Sequence, residues 1–134
     1  MKQFSLKTSG RSHFVEITRE VRHAVESSGL QEGVAVVYVP HTTAGVTVNE
    51  HADPDVARDM VMMLDRMVPW DDPKYRHGEG NSAAHIKAAM MGSSAMVPIR
   101  NGRLALGTWQ GIFFCEFDGP RSRDVWVRVL PADA

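Results

Sequence analysis

The 134 residues fall within the usual size of one domain, about 100 to 150 residues, and leave no room for two catalytic domains. A composition of 43% hydrophobic and 23% charged residues supplies one apolar core without disulfide or metal staples, which excludes disorder over most of the length. Fifteen basic residues against sixteen acidic ones give a formal net charge of −1, so the broad positive footprint of a dedicated nucleic-acid binder is missing.

Cys115 is the only cysteine, so no internal disulfide forms, and zinc modules with four cysteines or two cysteines and two histidines are excluded by count. A reducing, cytoplasmic setting is expected. The opening residues 1–9 hold Lys2 and Lys7 and lack the continuous apolar stretch of a signal peptide. No segment approaches the ~20 apolar residues that span a bilayer, so no membrane partner is expected.

Along the chain, Phe4, Leu6 and Thr8 alternate with polar residues and predict a strand with one buried face. A short strand through Phe14, Val15 and Ile17 leads to Thr18 as the N-cap of a helix carrying Val21, Ala24 and Val25 at helical spacing, stopped by Gly29. Residues 34–39 are apolar on both faces and predict a central strand covered on both sides, which delivers His41 to its C-terminal end. Residues 46–48 read as a further strand, and Asp53-Pro54 opens a helix whose Val56, Met60, Met63, Leu64 and Met67 share a face expected to pack in the core.

Residues 68–79 predict a long loop holding Trp70 and Tyr75. Asn81 or Ser82 caps a third helix, Ala83 to Met91, closed by Gly92. Strands follow at 96–99, 104–106, 112–117 and 124–130, with Asn101-Gly102 as a hairpin turn. The expected fold is a single α+β domain over residues 1–134, a β-sandwich-like antiparallel core with about three helices. No GxGxxG or GxxxxGK[ST] string is present to cradle a nucleotide.

Six histidines in so short a chain, several beside carboxylates at turns, mark the residues that could carry chemistry. His41-Thr42-Thr43 lies at a strand end, followed by Asn49-Glu50-His51 and Asp53; the plain alternative makes His41 a turn cap and Asp53 a helix cap. His77 and Glu79 precede His85 on the first turn of the third helix. Neutral imidazoles are the commonest zinc ligands and three of them suit an open catalytic site, so His41, His77 and His85 form a candidate metal triad, although their spacing matches no standard motif.

Period two along 112–118 puts Phe113, Cys115 and Phe117 on one face and Ile112, Phe114, Glu116 and Asp118 on the other. Cys115 is then a packed, inert thiol, and Glu116 on a half-buried face needs a partner or a route to solvent. Arg121 and Arg123 at the exit of a Gly-Pro turn could bind phosphate or simply be solvated. His51 is placed as a supporting residue behind the site, and His13 and His23 as surface or structural positions.

Three blocks, PHTTAGVTVNE (40–50), RHGEGNSAAHIKAAMMG (76–92) and GRLALGTWQGIFFCEFDGPRSR (102–123), make the chain resemble the YjbQ-like family, also called the secondary thiamine-phosphate synthase family. The resemblance covers nearly the whole chain. It implies an α+β homotrimer with clefts between subunits, and the joining of hydroxymethylpyrimidine diphosphate to a thiazole phosphate with loss of pyrophosphate.

It also implies functional positions at His41, Thr42, Asn49, Glu50, Asp53, His77, Glu79, His85, Trp109, Gln110 and Glu116. Glu50, Glu116, Asn49 and Gln110 are then expected in catalysis, and Thr42, Thr43, Trp109, Arg121 and Arg123 in binding the small-molecule substrate. His41, His77 and His85 are expected on a divalent ion, zinc or magnesium. The alternatives are a metal-dependent phosphoester or acyl hydrolase and a non-catalytic metal or metabolite binder.

Overall fold

The alternating apolar residues settle into two antiparallel sheets in the computed structural model, which describes residues 1–132. In chain order the elements are β1 (Lys2–Lys7), β2 (His13–Glu16), α1 (Thr18–Ser28), β3 (Gly33–Tyr38), β4 (Ala44–Glu50), α2 (Pro54–Met67), α3 (Ser82–Met91), β5 (Ser94–Arg100), β6 (Arg103–Leu104), β7 (Gln110–Glu116) and β8 (Ser122–Pro131). One sheet has five strands in the order β1-β8-β3-β5-β6, the other three in the order β2-β7-β4. The α+β, sandwich-like expectation holds.

The period-two pattern of β7 explains the layering. Its Ile112 and Phe114 point between the sheets, into a core with Val21 and Val25 of α1, Val37 of β3, Val46 of β4 and Val125 of β8. Its Cys115, with the following Phe117, points the other way, into a smaller cluster with Leu64 of α2 and Ala84 and Ala88 of α3. A strand buried on both faces is apolar over most of its length, as residues 111–115 are here, and β7 is the central strand of its sheet.

Local signals terminate the elements largely as expected. Gly29 ends α1 in the left-handed region at φ 73°, and Asn101 and Gly102 turn the β5–β6 hairpin at φ 54° and 77°. Asp53 caps α2 by accepting the Asp55 N–H at 2.9 Å. The strand expected at 104–106 shortens to Arg103–Leu104, while Leu104 and Leu106 still pack against the core.

Four expectations need correction. Thr18 is not a side-chain cap: Ile17 holds the N-cap position, and the buried Thr18 hydroxyl donates to Glu16 Oε2 and accepts the Ile112 N–H, both at 2.8 Å. Asn81 occupies the N-cap of α3 but its amide turns away to Asp118. The outer face of β3 is not covered within the chain, since Tyr38 is exposed and Val34 and Val36 are half-buried. The methionine face of α2 does not enter the core either. Leu64 alone is buried and Val56 and Met60 are half-buried, whereas Met63 and Met67 are 45% and 61% exposed.

Candidate functional site

β3 ends at Tyr38, and the following Val39-Pro40 carries His41 to the rim of a polar cavity of about 860 Å³. His77, Glu79 and Asn81 approach from the loop before α3, His85 from the helix, and Asp118 and Arg121 from the turn between β7 and β8. All three histidines of the expected triad therefore line one cavity. His77 and His85 meet edge to face with ring centroids 5.3 Å apart.

His41 Nε2 accepts the Asp124 backbone N–H at 2.9 Å, which requires a lone pair there and puts the ring proton on Nδ1. Burial, and then the nearby Arg123 guanidinium, hold its pKa below the ordinary 6.5 against the opposing carboxylates of Asp124 and Glu116. The ring is thus kept neutral. No group of three His, Cys, Asp or Glu side chains among the described residues is arranged to hold a metal ion. The three histidines face a shared space, and a single chain does not draw them into one coordination sphere.

Beneath the cavity lies a buried ion pair that the sequence pattern did not show. Glu116 is 0% and Arg123 3% exposed. Glu116 accepts hydrogen bonds from Arg123 Nε and Nη2, Thr8 Oγ1, and the backbone N–H groups of Phe117 and Asp118. Arg123 Nη2 also donates to Thr43 Oγ1 at 2.8 Å and to the Thr43 carbonyl. Burial pushes the Glu116 carboxyl up, but these hydrogen bonds and the Arg123 charge outweigh it and hold the pKa below the usual value.

Glu116, expected in catalysis, and Thr43 and Arg123, expected in substrate binding, satisfy one another here, and Thr43 and Arg123 also line the cavity. Arg121 is the arginine that stays half-exposed, paired with Asp118 at 3.2 Å. Thr42 is exposed on the cavity wall.

The remaining expected residues lie elsewhere. In the β4–β7 ladder Ala44 faces Glu116, whereas Glu50 faces Gln110. Six residue steps at ~3.3 Å separate these ends by roughly 20 Å. Glu50, Asn49, Gln110 and the 63% exposed Trp109 therefore cluster at the opposite end of the sheet from His41. Asn49 Oδ1 accepts the Glu50 N–H at 2.7 Å, and Gln110 Oε1 closes the turn by accepting the Gly107 N–H at 2.8 Å. Burial pushes the Cys115 thiol far up, in keeping with an inert thiol.

Two residues were missed as functional candidates. Asn81 is buried in the cavity wall, with Nδ2 donating to Asp118 at 2.8 Å and Oδ1 lacking any hydrogen-bond partner. An orphaned buried acceptor costs about 1–3 kcal/mol, which a donor on a bound molecule would relieve. Its suitability as a helix cap masked this in the sequence. Lys87 is 1% exposed, with Nζ 2.5 Å from Asp65 Oδ1, and ties α3 to α2; one polar residue amid alanines was its only signal.

Two antiparallel sheets flanked by helices, with a histidine-lined cavity at one sheet end, define a class of small α+β protein with solved members. The chain belongs to the YjbQ family: the model described as UPF0047 protein YjbQ-like matches residues 2–132. It is similar to UPF0047 protein YugU of Bacillus subtilis, 49% identical over 130 residues that cover 97% of this chain and 98% of that one. A crystal structure of a YjbQ/UPF0047 family protein from Clostridium acetobutylicum superposes with a TM-score of 0.95 at 55% identity, covering 97% and 100% of the two chains. A conserved protein of Thermus thermophilus superposes at 0.90 with 44% identity, again over 97% and 100%. No described helix is long and apolar enough to cross a membrane.

Proposed function

We propose that the protein is a cytoplasmic thiamine-phosphate synthase that works as a homotrimer, its active site combining the His41 cavity of one subunit with the Glu50–Gln110 end of the next. The observation that carries this reading is the separation of the candidate residues by the length of β4. Each end of the sheet offers half of a site. A head-to-tail interface, which closes into a ring, unites unlike ends of identical chains. The outer face of the five-stranded sheet supplies apolar surface for it: Met96 is 71% and Leu130 46% exposed, and the stacked Tyr38 and Trp126 border the cavity.

In this reading the diphosphate of hydroxymethylpyrimidine diphosphate sits in the cavity as its magnesium complex, the ion being part of the substrate rather than a resident centre. Arg121 and the Nδ1–H of His41 face the phosphates, and Asn81 Oδ1 accepts a hydrogen bond from the pyrimidine amine. The methylene C–O bond breaks with its electron pair leaving on pyrophosphate, which His77 or His85 protonates, and the thiazole nitrogen forms the new C–N bond. Glu50 of the neighbouring subunit stabilises the positive charge that develops on the methylene and then on the thiazolium.

Purified protein given both substrates and magnesium should form thiamine phosphate, with His41→Ala and Glu50→Ala each lowering turnover at least about 100-fold. Light scattering should give the mass of three chains. Unchanged turnover in both variants, or a monomer with full activity, overturns the composite site; stoichiometric zinc in the purified protein overturns the assignment of the ion to the substrate.

A further inference from the structure

A second cavity of about 860 Å³ opens between α2 and the three-stranded sheet, away from the His41 cavity. Its apolar lining comes from Phe14 and Phe113 of the sheet and from Val61 and Met62 of α2. Among its polar residues, His51 and Glu16 form a pair, Nδ1 lying 2.8 Å from Oε2.

Several independent features hold this pair in place. Glu16 Oε2 also accepts the Thr18 hydroxyl, which is itself fixed by the Ile112 N–H, so the carboxylate is anchored to buried backbone. The His51 N–H bonds to the Trp109 carbonyl at 2.9 Å. The residue facing both side chains is Gly111, where a Cβ would come 2.6 Å from His51 Cβ and 2.7 Å from Glu16 Oε2. The absence of a side chain there lets the pair form.

A carboxylate only accepts, so the His51 Nδ1–H donates to Glu16 Oε2 and leaves Nε2 as the ring atom free to meet a ligand. Glu50 and Asp53 line the same cavity, and around it carboxylates outnumber guanidiniums four to two. Acceptors and negative charge beside an aromatic surface select a particular kind of ligand. We propose that this cavity binds a small primary amine with an aromatic or branched aliphatic body. Its ammonium donates to His51 Nε2 and is neutralised by Glu16 and Asp53, while its body covers Phe14, Phe113 and Met62. This site lies within one chain and does not depend on the synthase reading.

Benzylamine titrated into protein carrying ¹⁵N-labelled histidine tests it directly. The His51 Nε2 resonance in a long-range ¹H–¹⁵N spectrum should shift saturably, with benzyl alcohol binding more weakly and benzoate not at all. His51→Leu and Glu16→Gln should each weaken benzylamine at least tenfold while the melting transition stays cooperative; where Glu16→Gln does not fold, His51→Leu decides. Benzoate binding as well as benzylamine, a His51 signal that does not move, or wild-type affinity in His51→Leu overturns the proposal. The titration contains no substrate of thiamine-phosphate synthesis, so failure of that activity leaves its outcome unchanged.

Discussion

Arg123 is worth more to the fold than its place at a turn exit suggests. Removing it leaves the Glu116 carboxylate buried and unpaired, so Arg123→Ala should lose about 3–5 kcal/mol, read as a lower midpoint in urea. Replacing both partners by apolar residues of similar volume should cost clearly less than the single change, since no charge is then stranded. Acid sensitivity follows from the same neighbourhood. The pKa values of His41 and Glu116 both lie below their ordinary 6.5 and 4.5 in the folded chain, so the unfolded chain takes up these protons first as pH falls. Their contribution to stability is complete above about pH 6.5 and 4.5 respectively and is lost as pH drops through each folded value. Denaturant midpoints measured from pH 8 to pH 3 should show this decline, and a His41→Asn variant should lack the upper part of it. At this scale the sequence revealed the face of Glu116 but not its partner, because the pairing depends on how the chain returns after Gly119-Pro120, and periodicity does not encode that return.

Among the elements, the strands and the ends of the helices were legible because their signals are local: period two, a left-handed glycine, an aspartate before a proline. Packing between elements was not. The methionines of α2 have helical spacing whether they face a core or open solvent, and only the position of the sheet shows that Leu64 alone is buried. Gly45 of β4 gives another example. A Cβ there would lie 2.6 Å from the Gly92 carbonyl and 3.1 Å from Met91 Cβ, so its bare backbone is what lets the end of α3 lie on the sheet. Gly45→Ala should therefore destabilise by about 1–3 kcal/mol through displaced backbone. Thermal unfolding is the check, and an unchanged melting temperature would show that α3 yields without cost.

For the whole molecule, the chain leaves uncovered the surfaces that apolar sequence patterns mark for burial: the outer face of β3, the methionine face of α2, and Trp109. The candidate residues were legible as a set but not as a place, since nothing in a linear string tells that Glu50 and Glu116 stand at opposite ends of one ladder. That seven-residue strand has a consequence that can be tested with two dead proteins. His41→Ala spoils one end of β4 and leaves the other intact, and Glu50→Ala does the reverse. In the proposed trimer, reassembled from an equal mixture, a junction where the sound end of one meets the sound end of the other should occur in about a quarter of sites by chance. Two inactive preparations, unfolded and refolded together, should thus recover up to about a quarter of wild-type turnover, whereas either refolded alone recovers none.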